Sequence, residues 1–167
     1  AKQLHHKFTK EANREALDFV TKAIEADQTN AQALAWKACI MGQARARQYV
    51  EIKDQEAYYK EMSGYVQRAV DLDENDFECN RMLCFAYLTQ HKYDRAEEYG
   101  KRAFDLNPND PRVSSGYGEV LVRVGRSEEG IELLKKALDL DPVPMGQINS
   151  DKRLADLLLG FFMNKDY

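Results

Sequence analysis

The sequence of 167 residues predicts an all-α solenoid of stacked helix–turn–helix units, on three observations. Displaced by 34 residues, the chain nearly repeats itself. Ala103, Phe104, Asp105, Leu106, Asn107 and Pro108 fall on Ala137, Leu138, Asp139, Leu140, Asp141 and Pro142, and the first five fall in the other direction on Ala69, Val70, Asp71, Leu72 and Asp73. Such a period marks units that bury their apolar faces only against their neighbours. Apolar residues recur at three- and four-residue spacing with no strand-like alternation. Four prolines and nine glycines stand mostly at punctuation points and leave long stretches free for helix.

Taken in order, residues 2–9 are too short and polar for a full helix, with Leu4 and Phe8 as the remnant of one. Residues 11–26 carry Ala12, Ala16, Phe19, Val20, Ala23 and Ile24 on one stripe and end in a polar turn at 27–30. A second helix starts near Ala31, carries Leu34, Ala38, Ile40 and Met41, and is expected to run through Ala44 and Tyr49 to about Val50. After a turn at 51–55 the next helix spans about 56–72. From Asp27 to Asp73 is 46 residues, twelve beyond the period, so each helix of this pair is expected to gain about six.

Residues 77–89 and 93–106 form the next pair across a turn at 90–92. Pro108 and Pro111 stop it, and Pro111 suits the first turn of the following helix. Residues 112–124 and 127–140 repeat the arrangement. Gly125 closes the first of these, and Ser127 is expected to cap the second ahead of Glu128 and Glu129. Residues 141–149 are a longer connection before a last helix at 151–163. The chain is expected to be one domain: a partial unit 1–30, a lengthened one 31–76, regular ones 77–110 and 111–144, and a truncated one 151–167.

The regular units supply a motif. Asn80, Leu83, Cys84 and Tyr87, then Ala96 and Gly100, then Pro108 occupy the positions of a W-x₂-L-G-x₂-Y, A-x₃-F, P pattern. Ser114, Tyr117, Gly118 and Leu121, then Gly130 and Leu134, then Pro142 occupy them again. This resembles the tetratricopeptide repeat family. The lengthened unit matches with Leu34, Lys37, Ala38, Met41, Met62 and Val66, and has Glu74 where the proline would stand. The first unit keeps only Ala16, Val20 and Ala23. Small residues let helices cross closely and large ones fill the space beside them. The resemblance implies a right-handed superhelix whose first helices line a concave surface. The layout is also similar to tetratricopeptide regions C-terminal to bacterial class III adenylate cyclases and winged-helix regulators.

Composition narrows the function. The net charge of −4 and pI near 5.5 argue against nucleic acid, which requires a basic excess. No apolar run reaches membrane-span length. Cys39, Cys79 and Cys84 form no CxxC pair and read as buried thiols of a reducing cytoplasm. His5, His6 and His91 have no partner at catalytic or metal-site spacing and read as exposed. The Gly116–Gly118 pair follows no strand and reads as helix packing, not a phosphate loop. Glu97–Glu98 and Glu128–Glu129 read as solvated faces. No enzyme, cofactor or metal is expected.

What remains is binding of a protein or peptide, as a regulatory or scaffolding part of a larger cytoplasmic protein. The resemblance places Gln32, Trp36, Cys39, Glu78, Arg81, Phe85, Arg112, Glu119 and Arg123 on the concave groove. Trp36 is expected either to anchor a partner or to pack against the lengthened helix after it. The Lys/Asn clamp by which some family members hold chaperone C-termini is not reproduced, because Gln32, Trp36 and Cys39 stand in its place. A second candidate surface is Tyr49, Tyr58, Tyr59 and Tyr65. Residues 162–167 align with 88–93, which places Tyr167 at the turn before a helix the chain does not contain and reads as a fragment. Leu154, Leu157, Leu158 and Phe161 are then expected to lack cover, which makes a homodimer the alternative function.

Overall fold

The computed structural model describes residues 1–143 and 152–165, which hold nine α-helices and no strand. In order these are α1 Lys2–His5, α2 Lys10–Ala26, α3 Ala31–Ala46, α4 Gln55–Leu72, α5 Phe77–Thr89, α6 Tyr93–Leu106, α7 Pro111–Arg123, α8 Ser127–Leu140 and α9 Lys152–Asn164. The expected positions 144–151 and 166–167, including Asp151 and Tyr167, lie outside the described residues. The chain divides into two compact units, Ala1–Ala86 and Tyr87–Tyr167.

The first unit is built on α2, α3 and α4. Ala16, Leu34, Ala35, Ile40, Val66, Ala69, Cys79 and Leu83 are all but inaccessible to water, and that burial drives the packing of helices marginal in isolation. Side-chain oxygens cap the helix starts. Thr9 accepts from the Ala12 N–H, Asn30 from Ala33, Asp54 from Ala57 and Asp76 from Cys79, satisfying donors that a helix leaves orphaned. Inside, Asn13 Nδ2 donates to the Ile40 carbonyl at 3.0 Å and to Gln43 Oε1 at 2.9 Å. Asn80, a departure from the repeat pattern, is buried because its Nδ2 donates to the Glu74 and Asp76 carbonyls, each at 2.8 Å.

The lengthened pair differs from expectation. α3 ends at Ala46, where Gln48 takes φ 55° and the Tyr49 N–H turns back to the Ala44 carbonyl. Helix therefore does not reach Val50. Against α5 and α6, α3 has 16 residues for 13 and α4 has 18 for 14. The remaining excess lies in the turn between Ala46 and Gln55.

The second unit packs α6 to α9. Ala96, Ala103, Val113, Val120, Leu121, Val122, Leu134 and Ala137 form its core. α7 and α8 cross at two glycines. A Cβ on Gly118 would stand 2.9 Å from the Gly130 carbonyl oxygen, and one on Gly130 would stand 2.7 Å from that of Gly118. A Cβ on Gly116 would meet nothing within 4 Å beyond its own helix, so packing accounts for only the second glycine of that pair. Gly125 takes φ 88° at the α7–α8 turn, a conformation that favours glycine. Ser127 does not cap α8. It is the first helical residue, behind Arg126, whose guanidinium bonds Glu129 and Glu97.

Candidate interaction faces

In the first unit the expected groove residues fall into two groups. The first is closed by the chain itself. Trp36 is only 9% exposed, and the His5 ring meets it edge-on at 5.6 Å between centroids, with Lys2 Nζ 5.9 Å from the ring. Trp36 is thus closed to solvent, with His5 and Lys2 of α1 lying against its ring. His5 corrects a second expectation: burial, with the His6 and Arg81 charges, holds its imidazole down at about 4. Its Nε2 lies 3.8 Å from Cys39 Sγ, and its carbonyl accepts from Gln43 Nε2 at 2.9 Å. Only a three-dimensional neighbour could reveal this, since His5 and Cys39 are 34 residues apart. His91 stays exposed in its turn.

The second group is open. Phe85 is 45% exposed. It lines a small apolar notch with Ala38, Cys39, Gly42, Met62, Met82 and Arg81. Arg81 is held by the buried Glu78 through two contacts of 3.3 and 3.4 Å. Gln32 is exposed and donates to Asp76 Oδ2 at 2.9 Å. Cys79 is sealed, and its thiol is pushed up to about 12 by burial and the nearby Asp76 carboxylate, which removes thiolate chemistry there.

The tyrosines have partners within the unit. Tyr58 Oη donates to the Met41 carbonyl at 2.9 Å, and Tyr49 Oη donates to that of Phe8. Tyr65 and Tyr59 lie under Lys37 at 4.5 Å and Arg45 at 4.7 Å. An unanticipated cleft of about 590 Å³ opens beside them, with Arg14, Leu17, Met41, Ala44, Tyr49 and Tyr58 among its walls. Three helices and a turn build it, so no single stretch announces it.

In the second unit the groove positions are engaged internally. Arg112 bonds Asp110 at 2.6 Å, and Arg123 bonds the buried Glu119 at 3.1 Å. Glu119 also pairs with Lys152 of α9, which reaches Asp156 at 2.7 Å. Burial, with Glu119 nearby, raises the Asp156 carboxyl above its ordinary value. On α9, Phe161 is half-buried under Lys135, 5.4 Å from its ring. Leu158, Phe162 and Met163 are 70, 67 and 50% exposed, so of the expected Leu154, Leu157, Leu158 and Phe161 only Leu158 stands exposed, and the other three are half-buried. Gly160 faces inward, where a Cβ would come within 2.8 Å of Ile131.

Among the described residues no three His, Cys, Asp or Glu side chains converge on a possible metal site, and no helix is long and apolar enough to cross a membrane. Residues 2–88 match the family model of regulator of microtubule dynamics proteins 1–3. The chain belongs to this family. The match takes in both the partial and the lengthened unit, and residues 87–147 match a tetratricopeptide repeat model. The two matches meet where the compact units divide.

Cell division cycle protein 27 homolog B of Arabidopsis thaliana is 35% identical over 68 residues, which is 39% of this chain and 9% of that protein's length. A MamA structure superposes with a TM-score of 0.63 at 16% identity, covering 98% of this chain and 86% of its own. The first tetratricopeptide domain of Spaghetti (RPAP3), bound to the HSP90 peptide SRMEEVD, gives 0.56 at 19%, covering 79% and 95%. The fold is the all-α tetratricopeptide solenoid.

Proposed function

We propose that this chain is a noncatalytic protein-interaction module of a cytoplasmic regulator of microtubule dynamics, and that it binds a peptide or partner helix against Phe85. Family membership supports the setting. The observation that carries the site is Phe85 itself. A large aromatic left 45% exposed beside an apolar notch and a fixed guanidinium is the composition of a binding hot spot. Cys39 and Arg81 supply its polar edge. The Spaghetti domain supports a peptide as the kind of ligand. The chaperone clamp is not carried over, because Gln32, Trp36 and Cys39 replace its Lys and Asn. The experiment is selection of helical and extended peptides from a displayed library on the folded chain, followed by affinity measurement against variants at Phe85 and Arg81.

Self-association is the second reading, favoured by the exposed Leu158 and Met163 of α9. A strictly monomeric mass by light scattering at high concentration removes it.

A further inference from the structure

We propose that residues 2–8 form a proton-released strap over the Trp36 face of α3, closed at neutral pH and opened in mild acid. Contacts with the rest of the unit hold residues 2–8 in place. Those contacts are few and mostly polar. The His5 ring lies against Trp36, its carbonyl takes the Gln43 amide, and its Nε2 faces Cys39. At the far end the Tyr49 hydroxyl holds the Phe8 carbonyl, and the Arg47 guanidinium lies 5.3 Å from the Phe8 ring centre.

Little opposes release. No residue of α1 is buried, and Phe8 is half exposed. Phe8 and Gln48 both hold the left-handed backbone conformation, at φ 52° and 55°, which L residues with large side chains avoid. Opening relaxes the first of these at once.

His5 supplies the proton dependence. Its Nδ1 is buried without a hydrogen-bond partner. The charged groups near it are cations, His6 and Lys2 from its own segment and Arg81 from α5, with the one neighbouring carboxylate, Glu78, engaged by Arg81, and Cys39 from α3 is a thiol. The closed strap therefore holds the imidazole neutral, near 4 against 6.5 in the open segment. The closed state binds fewer protons, so closure is fully favoured above the open-state value and weakens as pH falls from there toward 4. By pH 5 the closing equilibrium is weaker by about 30-fold.

Trp36 is the sole tryptophan, so its accessibility to acrylamide reads the strap directly. Between pH 7.5 and 5, with far-UV dichroism unchanged, the quenching constant is expected to rise at least about twofold. His6→Gln keeps the rise, and His5→Gln abolishes it by holding accessibility constant at either level. A constant that stays flat in the wild type overturns the proposal. So does a rise that survives in His5→Gln, or one that comes only with loss of helix.

Discussion

Gly118 and Gly130 meet backbone to backbone where α7 crosses α8. Each stands where an added methyl group would enter the other's carbonyl oxygen, at 2.9 and 2.7 Å. Nothing flexible can yield, because both obstacles are main chain. Gly118→Ala or Gly130→Ala is expected to destabilise by about 1–3 kcal/mol. Gly130→Ala is expected to cost more, since its methyl also meets Val122 Cγ2 at 2.7 Å. Urea unfolding followed by dichroism checks both.

Two residues from Gly118, the opposite outcome is expected. Gly116 is helical and its missing methyl would touch nothing within 4 Å beyond its own helix. Gly116→Ala is expected to stabilise by about 0.5–1 kcal/mol, because alanine gives up less chain entropy in a helix. The same unfolding measurement reads it.

Asp110 joins a cap to an ion pair. Its carboxylate accepts from the Arg112 and Val113 N–H groups and from the Arg112 guanidinium. Burial pushes the carboxyl upward, but those donors outweigh it and hold it below its ordinary value. A depressed carboxyl stabilises the fold above the unfolded value of 3.8 and loses that effect as pH falls through the folded one. Asp110→Ala is expected to cost about 1 kcal/mol at pH 7. The gap from the wild type is expected to close in strong acid, as thermal unfolding across pH would show.

Much of this was legible in the sequence, and what was missed has a physical cause. The 34-residue self-match carries the small and large positions that make helices cross, so α5 to α8 follow from it almost residue for residue. The end of α3 did not follow, because Ala44 and Tyr49 extend the apolar pattern while Gln48 breaks the backbone with a positive φ that no residue type announces. The groove is legible only as far as a helix face. Exposed Phe85 and covered Trp36 hold neighbouring positions in that scheme, and what separates them is α1, a segment too short to show periodicity. Glu119 likewise reads as a groove carboxylate until Lys152, 33 residues away, is seen to meet it.

The central claim is that Phe85 anchors a bound peptide or helix, and titration calorimetry of the tightest library-selected peptide tests it. Phe85→Ala is expected to weaken binding by at least about tenfold, since truncating a hot-spot aromatic costs upwards of 1–2 kcal/mol. Phe19→Ala, which removes a comparably exposed aromatic from α2, is expected to leave the affinity within about twofold. An affinity unchanged by Phe85→Ala, or the failure of any peptide to bind the folded chain, would contradict the account.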